Sequence, residues 1–167
     1  RRHFDVTAVF SESIPIARLE SILGPVREVE RAEYWPETSG YLIGASGVPG
    51  GLVSVLGPRP QSLLDLRVTS GRALTPGDSV EAVINQAVVA RQPGLGVGDS
   101  VRVRIKGRTV VAPIVGVVKE IAPMPTIYFP PAAVLAATGR DGRSSRTARI
   151  VTRTHDDAGQ RAACHFA

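Results

Sequence analysis

Apolar and polar residues alternate along residues 3–10, which is the period of a strand with one buried face. Over residues 16–23 the apolar residues instead recur every three or four positions, so a helix is predicted there. Ser13 is placed to cap this helix, and the Gly24-Pro25 dipeptide supplies its end. Alternation resumes over residues 26–34. The start of the chain therefore predicts one strand-helix-strand unit.

Glycine and proline punctuate the middle of the chain, where helical spacing gives way to short apolar stretches after Pro36. These stretches predict strands over residues 41–45, 52–56, 63–68 and 80–84. Asn85 follows the last of them and precedes a helical stretch over residues 86–91. Its side-chain oxygen can accept from the free backbone N–H groups of the first turn. The middle of the chain is therefore predicted to be β-rich, with one short helix.

A two-stranded ribbon is predicted next. Valine and isoleucine alternate with arginine over residues 101–105, and the Lys106-Gly107 dipeptide predicts a tight hairpin to a second strand over residues 109–118. Pro113 predicts an edge or a bulge in that strand, because proline has no N–H to donate to a neighbour. One face of the ribbon is therefore apolar and the other is basic.

The last part of the chain resembles the first in outline. Residues 126–129 predict a short strand, and Pro130-Pro131 opens a helix over residues 132–138 that Gly139 ends. A further strand is predicted over residues 146–152, followed by a helix that begins near Asp157 with Asp156 as its cap. The two ends of the chain therefore form a weak internal pair of strand-helix units.

These elements predict the α+β fold class. Residues 1–36 and 123–167 are expected to form one strand-helix-strand lobe from both chain ends, and residues 37–122 an inserted β-rich lobe with one short helix. The composition agrees with a folded globular protein, since 43% of the residues are hydrophobic and 21% are charged.

The formal net charge is +5, and it comes from arginine, because lysine occurs only at positions 106 and 119. The arginines are scattered along the chain, so solvated surface side chains are favoured over a polyanion site. Cys164 is the only cysteine, which excludes a disulfide within the chain. No apolar run approaches the roughly 18 to 20 residues of a membrane span. Either the protein is soluble as it stands or its membrane segments lie outside these residues.

Candidate catalytic and metal-binding groups are sparse. The nearest approach to a ligand cluster is His155-Asp156-Asp157, which is more simply a helix cap. Cys164 and His165 are adjacent, so on a helix they diverge by about 100° and cannot form a nucleophile-base pair. The Gly94–Gly98 run follows a helix and enters a strand, which indicates a turn and not a phosphate loop. We therefore expect no catalytic, cofactor-binding or metal-binding residues and no cofactor.

Two groups of residues are candidates for binding a macromolecule. Arg102, Arg104 and Arg108 lie on the ribbon, but no aromatic residue neighbours them in sequence, as stacking on single-stranded nucleic acid requires. Tyr34, Trp35 and Tyr41 flank the entry to the inserted lobe and are a candidate contact patch for a partner. A core or boundary role is the alternative for these three aromatic residues.

Several fragments, common singly, occur here in a specific order and spacing. They are Phe4-Asp5-Val6-Thr7, Leu23–Glu30, Gly71-Arg72 with Gly77-Asp78, Ala82–Ala87, Val97–Val101, Val115–Val118 and Ile127–Pro130. In this order they resemble the extracytoplasmic domain of ABC transporter permeases of the FtsX and MacB type, the MacB-like periplasmic core domain. The resemblance covers nearly the whole chain.

The resemblance implies a location outside the cytoplasmic membrane, between two membrane helices, with a separate cytoplasmic ATPase subunit as partner. It implies a non-enzymatic domain that binds cargo or a partner protein and relays ATP-driven movement of the membrane helices. One alternative is a soluble basic β-module that binds nucleic acid, although we do not expect a nucleic-acid partner. A weaker alternative is an extracellular hydrolase that uses His155 and Asp156.

Overall fold

The computed structural model of the protein describes residues 3–59, 63–77, 79–120 and 124–153. Its strands are β1 (Val6–Pro15), β2 (Val29–Glu33), β3 (Glu37–Ile43), β4 (Pro49–Leu56), β5 (Arg67–Gly71), β6 (Ala82–Asn85), β7 (Ser100–Ile105), β8 (Arg108–Lys119), β9 (Thr126–Tyr128) and β10 (Ser144–Thr152). Its helices are α1 (Ile16–Leu23), α2 (Gln86–Arg91) and α3 (Pro131–Thr138). The predicted α+β class is confirmed. None of the helices in these ranges is long and apolar enough to cross a membrane.

The chain divides into two compact units. The terminal unit comprises residues 2–35, 61–65 and 141–167, and the barrel unit comprises residues 36–60 and 66–140. The predicted lobe boundary at residue 123 therefore differs from this division, because β9 and α3 belong to the barrel unit. The predicted strand over residues 63–68 is also divided, since Leu63 to Asp65 belong to the terminal unit and β5 begins only at Arg67.

The terminal unit contains a three-stranded antiparallel sheet in the order β1-β10-β2. Its apolar core joins one face of the sheet to α1 and consists of Val6, Ala8, Phe10, Leu19, Leu23, Ala148 and Ile150. The predicted cap at Ser13 is wrong, because β1 continues to Pro15 and leads directly into α1. The first turn of α1 is instead held by the Ile16 N–H, which donates to the Arg143 carbonyl at 2.8 Å.

The barrel unit is a closed ring of six strands, in which β8, β6, β9, β4, β3 and β7 pair in turn and β7 returns to β8. The closure depends on the length of β8. Its first part, up to Pro113, pairs with β7, and the part from Ile114 to Val118 pairs with β6. Pro113 therefore lies where β8 passes from one neighbour to the other. β5 pairs with the last residues of β8, outside the ring.

Local signals in the sequence explain several corners of the barrel. The predicted cap at Asn85 is confirmed, since its Oδ1 accepts from the Val88 N–H at 3.2 Å. The predicted hairpin at Lys106-Gly107 is confirmed, and both residues have positive φ, 46° and 82°. Gly139 ends α3 in the left-handed conformation, with φ 69°. The predicted helix beginning at Asp157 and the residues His155, Asp156, Cys164 and His165 lie outside the described ranges.

Candidate functional site

Trp35 is part of the interior of the terminal unit. Only 2% of the residue is exposed, and its indole N–H donates to Glu33 Oε2 at 2.7 Å. The ring of Phe4 meets it edge to face, with centroids 6.0 Å apart. The guanidinium of Arg149 lies 4.1 Å above the indole ring, in cation–π geometry. Trp35 therefore has the core role, and it is not available as an exposed contact.

Glu33 connects the parts of this buried cluster. The same carboxylate that accepts from Trp35 also accepts from the Leu63 N–H at 3.0 Å and pairs with Arg31. Arg149 lies opposite Glu33 in the pairing of β10 with β2. Its part in the cluster could not be found from sequence, because the two residues are far apart in the chain and only strand pairing brings them together.

The two tyrosines of the candidate patch have different environments. Tyr34 is half-buried against the core of the terminal unit, and burial, with a smaller contribution from the negative charge of Glu20, raises its pKa to about 12. Its hydroxyl therefore stays protonated at neutral pH. Tyr41 lies on β3 in the barrel unit and is 51% exposed. Of the three predicted contact residues, Tyr41 is therefore the one whose side chain is exposed to solvent.

Strand register gives Tyr41 a defined set of neighbours. It lies opposite Leu52 on β4 and opposite Arg104 on β7. Arg102 lies opposite Val111, two residue pairs further along the ribbon and therefore on the same face. Residues paired across strands share a face of the sheet, and these side chains are exposed. We call this set the outer barrel face; its members are Tyr41, Leu52, Arg102, Arg104, Thr109 and Val111.

Arg108 does not belong to the outer barrel face, although the sequence places it beside Arg102 and Arg104. Its guanidinium donates to the Ala136 carbonyl at 3.4 Å, near the end of α3. This position suits a cation, because helix C-termini carry a partial negative charge. Of the three arginines of the predicted basic ribbon, only Arg102 and Arg104 therefore lie on the outer barrel face. The aromatic residue beside them, Tyr41, is on the neighbouring strand β3.

A second charged cluster holds the loop between β5 and β6. Arg72 makes two hydrogen bonds to the buried Glu81 carboxylate, at 3.0 and 2.7 Å, and also donates to the hydroxyl of Thr75 at 2.7 Å. The two bonds from Arg72 to Glu81, followed by the bond that the Thr75 N–H donates to the same carboxylate, lower the pKa of Glu81 to about 2. Glu81 therefore remains ionised at neutral pH, and the ion pair stabilises the loop.

No group of three or more His, Cys, Asp or Glu side chains that could hold a metal ion occurs within the described ranges. In the same part of the chain, ion pairs join Arg31 to Glu33, Arg72 to Glu81 and Arg143 to Asp141.

These observations define a class of protein: an α+β domain in which a β-barrel is inserted into a smaller unit of three antiparallel strands and one helix, with an exposed basic and apolar face on the barrel. Comparison with known proteins is more specific. The chain belongs to the family of MacB-like periplasmic core domains, whose family model matches residues 4–163. The resemblance inferred from the ordered fragments is therefore confirmed.

Solved structures agree in fold. The extracellular domain of the noncanonic ABC-type transporter YknZ from Gram-positive bacteria matches with a TM-score of 0.61 and 15% identity, over 89% of this chain and 82% of that one. The periplasmic region of MacB from Actinobacillus actinomycetemcomitans matches with a TM-score of 0.60 and 15% identity, over 95% of this chain and 78% of that one. No curated protein matches the chain in sequence.

Proposed function

We propose that the chain is a non-enzymatic extracytoplasmic domain of an ABC transporter permease. It binds cargo or a partner protein and relays movement of the membrane helices, which a separate cytoplasmic ATPase subunit drives. Family membership supports the transporter context. The observation that carries the relay is the pairing of β1 with β10, the first and last strands of the described residues, in one sheet.

In the terminal unit, β1 and β10 are antiparallel neighbours, with Val6 opposite Ile150. The start of β1 therefore lies beside the end of β10, and the Asp5 N–H donates to the Ile150 carbonyl at 2.9 Å. Membrane helices joined to the chain before β1 and after β10 would act on the same end of the same sheet. A displacement of either helix would enter the domain at one place.

Side-chain bonds fasten this end of the sheet. The Asp5 carboxylate accepts from the Thr152 N–H at 2.8 Å and from the Thr152 hydroxyl at 3.0 Å. Just beyond, the Arg153 N–H donates to the Glu28 carbonyl at 2.9 Å, in the segment that leads into β2. We call the Asp5 and Thr152 pair the end clasp. By holding β1 to β10, it would make the sheet move as a body when one end is pulled.

Location is tested by labelling cysteines in whole cells. Val9 is 69% exposed on β1, whereas its neighbour Ala8 is 5% exposed. In full-length permease carrying Cys164→Ser, a membrane-impermeant maleimide should label Val9→Cys in intact cells and leave Ala8→Cys unlabelled until the protein is unfolded. Labelling of Val9→Cys only after cell lysis would contradict the proposal, as would a full-length gene that encodes no membrane helix on either side of the domain.

The ATPase partner is tested by purification. The full-length permease, extracted in detergent through an affinity tag, should bring with it an ATPase subunit that the 167-residue chain alone does not retain. Retention by the isolated chain would place the ATPase contact in this domain and would contradict the proposed arrangement.

A further inference from the structure

We infer that the outer barrel face is a docking surface for a partner protein that presents carboxylates beside an apolar side chain. This inference rests on the proposed function, since it names the chemistry of the partner that the extracytoplasmic domain binds. It is carried by the arrangement of the face, by the distribution of charge and by the rigidity of the strands.

The outer barrel face is a continuous row with a second row beside it. Leu52, Tyr41, Arg104 and Thr109 lie opposite one another in turn on β4, β3, β7 and β8. Neighbouring strands are about 4.8 Å apart, so this row is about 15 Å long. Val111, with Arg102 opposite it, extends the face. The three apolar members are 43% to 52% exposed. Single exposed apolar residues are ordinary, but three around two arginines form a patch.

Charge favours an anionic partner. Residues 36–60 and 66–140 carry ten lysines and arginines against five aspartates and glutamates, a difference equal to the +5 of the whole chain. The positive charge is therefore concentrated in the barrel unit. Within the described ranges, no carboxylate forms an ion pair with Arg102 or Arg104. Asp99, which precedes β7, is engaged within its own turn, where it accepts from the Gly96 N–H at 2.8 Å.

The kind of anion follows from the side chains. Arginine presents a planar fork that binds a carboxylate with two hydrogen bonds, and arginine and tyrosine are enriched where proteins meet. Nucleic acid would favour several stacked aromatic rings, but the outer barrel face carries one, that of Tyr41. An anionic membrane would favour a cluster of four or more cations, whereas this face has two. A protein that carries acidic and apolar side chains is the best match.

The strands beneath this face hold it rigid. β3 is hydrogen-bonded between β4 and β7, and β7 between β3 and β8, so neither of these two strands offers a free edge. A partner must therefore bind through side chains and not by adding a strand. Because these strands are already ordered, the barrel loses little conformational entropy when a partner binds. A small set of contacts can therefore give measurable affinity.

The test uses the 167-residue chain and a fluorescent peptide in which glutamates alternate with leucine and serine. Fluorescence anisotropy at physiological salt should show binding to this peptide and at least about tenfold weaker binding to the peptide with glutamine in place of glutamate. The double variant Arg102→Gln/Arg104→Gln should weaken binding of the glutamate peptide by at least about tenfold, and Tyr41→Ala should also weaken it.

The matched control removes the same charge elsewhere on the barrel unit. Arg59 and Arg67 are exposed and lie outside this face, so Arg59→Gln/Arg67→Gln should change binding by less than about twofold. Equal loss in the two double variants would overturn the inference, because net charge alone would then explain binding. No binding of the glutamate peptide would also overturn it. So would a response confined to phosphatidylglycerol vesicles or to a single-stranded oligonucleotide.

Failure of this inference is distinguishable from failure of the proposed function. If cysteine labelling places the domain outside the membrane but the peptide does not bind, only the docking surface is wrong. If the peptide binds as expected but the full-length protein has no membrane helix, the outer barrel face stands and the transporter role fails.

Discussion

Truncation of the end clasp should destabilise the terminal unit by a predictable amount. Thr152 is 0% exposed, and both its N–H and its hydroxyl donate to Asp5. Asp5→Ala leaves two donors without this acceptor. A hydrogen bond to a charged group contributes about 1.5 to 3 kcal/mol, and partial exposure of Asp5 lets water replace part of that. We expect the free energy of unfolding to fall by about 2 kcal/mol. Thr152→Val removes only the hydroxyl bond and should cost about 1 kcal/mol.

Urea unfolding at neutral pH, followed by fluorescence, measures these effects. Trp35 is the only tryptophan and lies buried in the terminal unit, so its emission reports that unit. The double variant should lose about 1 kcal/mol less than the sum of the two single losses, because both remove the same hydroxyl bond. Thr7→Val, at an exposed position on β1, is the control and should change stability by less than about 0.5 kcal/mol. Strict additivity, or a loss below about 0.5 kcal/mol for Asp5→Ala, would refute the reasoning.

Further variants test the barrel and the buried clusters. Gly116→Ala should cost more than about 3 kcal/mol or prevent folding, because the new methyl group would lie 2.1 Å from the Arg72 carbonyl oxygen. The control is Gly96→Ala, whose methyl group would have its nearest atom at 3.8 Å, and it should change stability by less than about 1 kcal/mol. Thermal unfolding measures both variants. Arg72→Met should lower the free energy of unfolding by its full amount above pH about 4.5, and the difference from the unmodified protein should shrink as the pH falls toward 2. The reason is that the pKa of Glu81 is lowered to about 2 in the folded state, and a difference that does not depend on pH would contradict this. Trp35→Phe should cost at least about 1 to 2 kcal/mol, because the hydrogen bond to Glu33 is lost and the smaller ring fills less of the buried site. Thermal unfolding followed by circular dichroism measures this, and an unchanged midpoint would contradict it.

Elements set by neighbouring residues could be predicted from sequence. The cap at Asn85 and the turn at Lys106-Gly107 depend on side-chain and backbone preferences that act over a few residues. The start of α1 could not be predicted, because Ser13 offers a good cap but tertiary pairing of β1 with β10 extends the strand to Pro15. There the pairing with β10, which is far away in sequence, outweighs the local preference of Ser13 for capping a helix.

Closure of the barrel could not be predicted, because it depends on which strands pair. β8 reads as one strand of a hairpin, yet its second half pairs with β6, and the short β9 joins β6 to β4. The same limit applies to the candidate site. Tyr34, Trp35 and Tyr41 are close in sequence, but Trp35 is covered by Arg149, and Tyr41 lies beside Arg104. The residue types indicated a candidate contact patch, but which side chains surround each aromatic residue depends on strand register, which the sequence does not show.

Hydrogen exchange in the intact transporter tests the relay most directly. The full-length permease with its ATPase subunit, reconstituted in nanodiscs, is compared without nucleotide and in an ATP-trapped state. We expect amide exchange to change in β1, α1, β2 and β10, and the change to be lost when the ATPase subunit cannot bind ATP. If exchange in these four elements is the same in both states, this would contradict the proposal that movement of the membrane helices enters the domain through the paired strands β1 and β10.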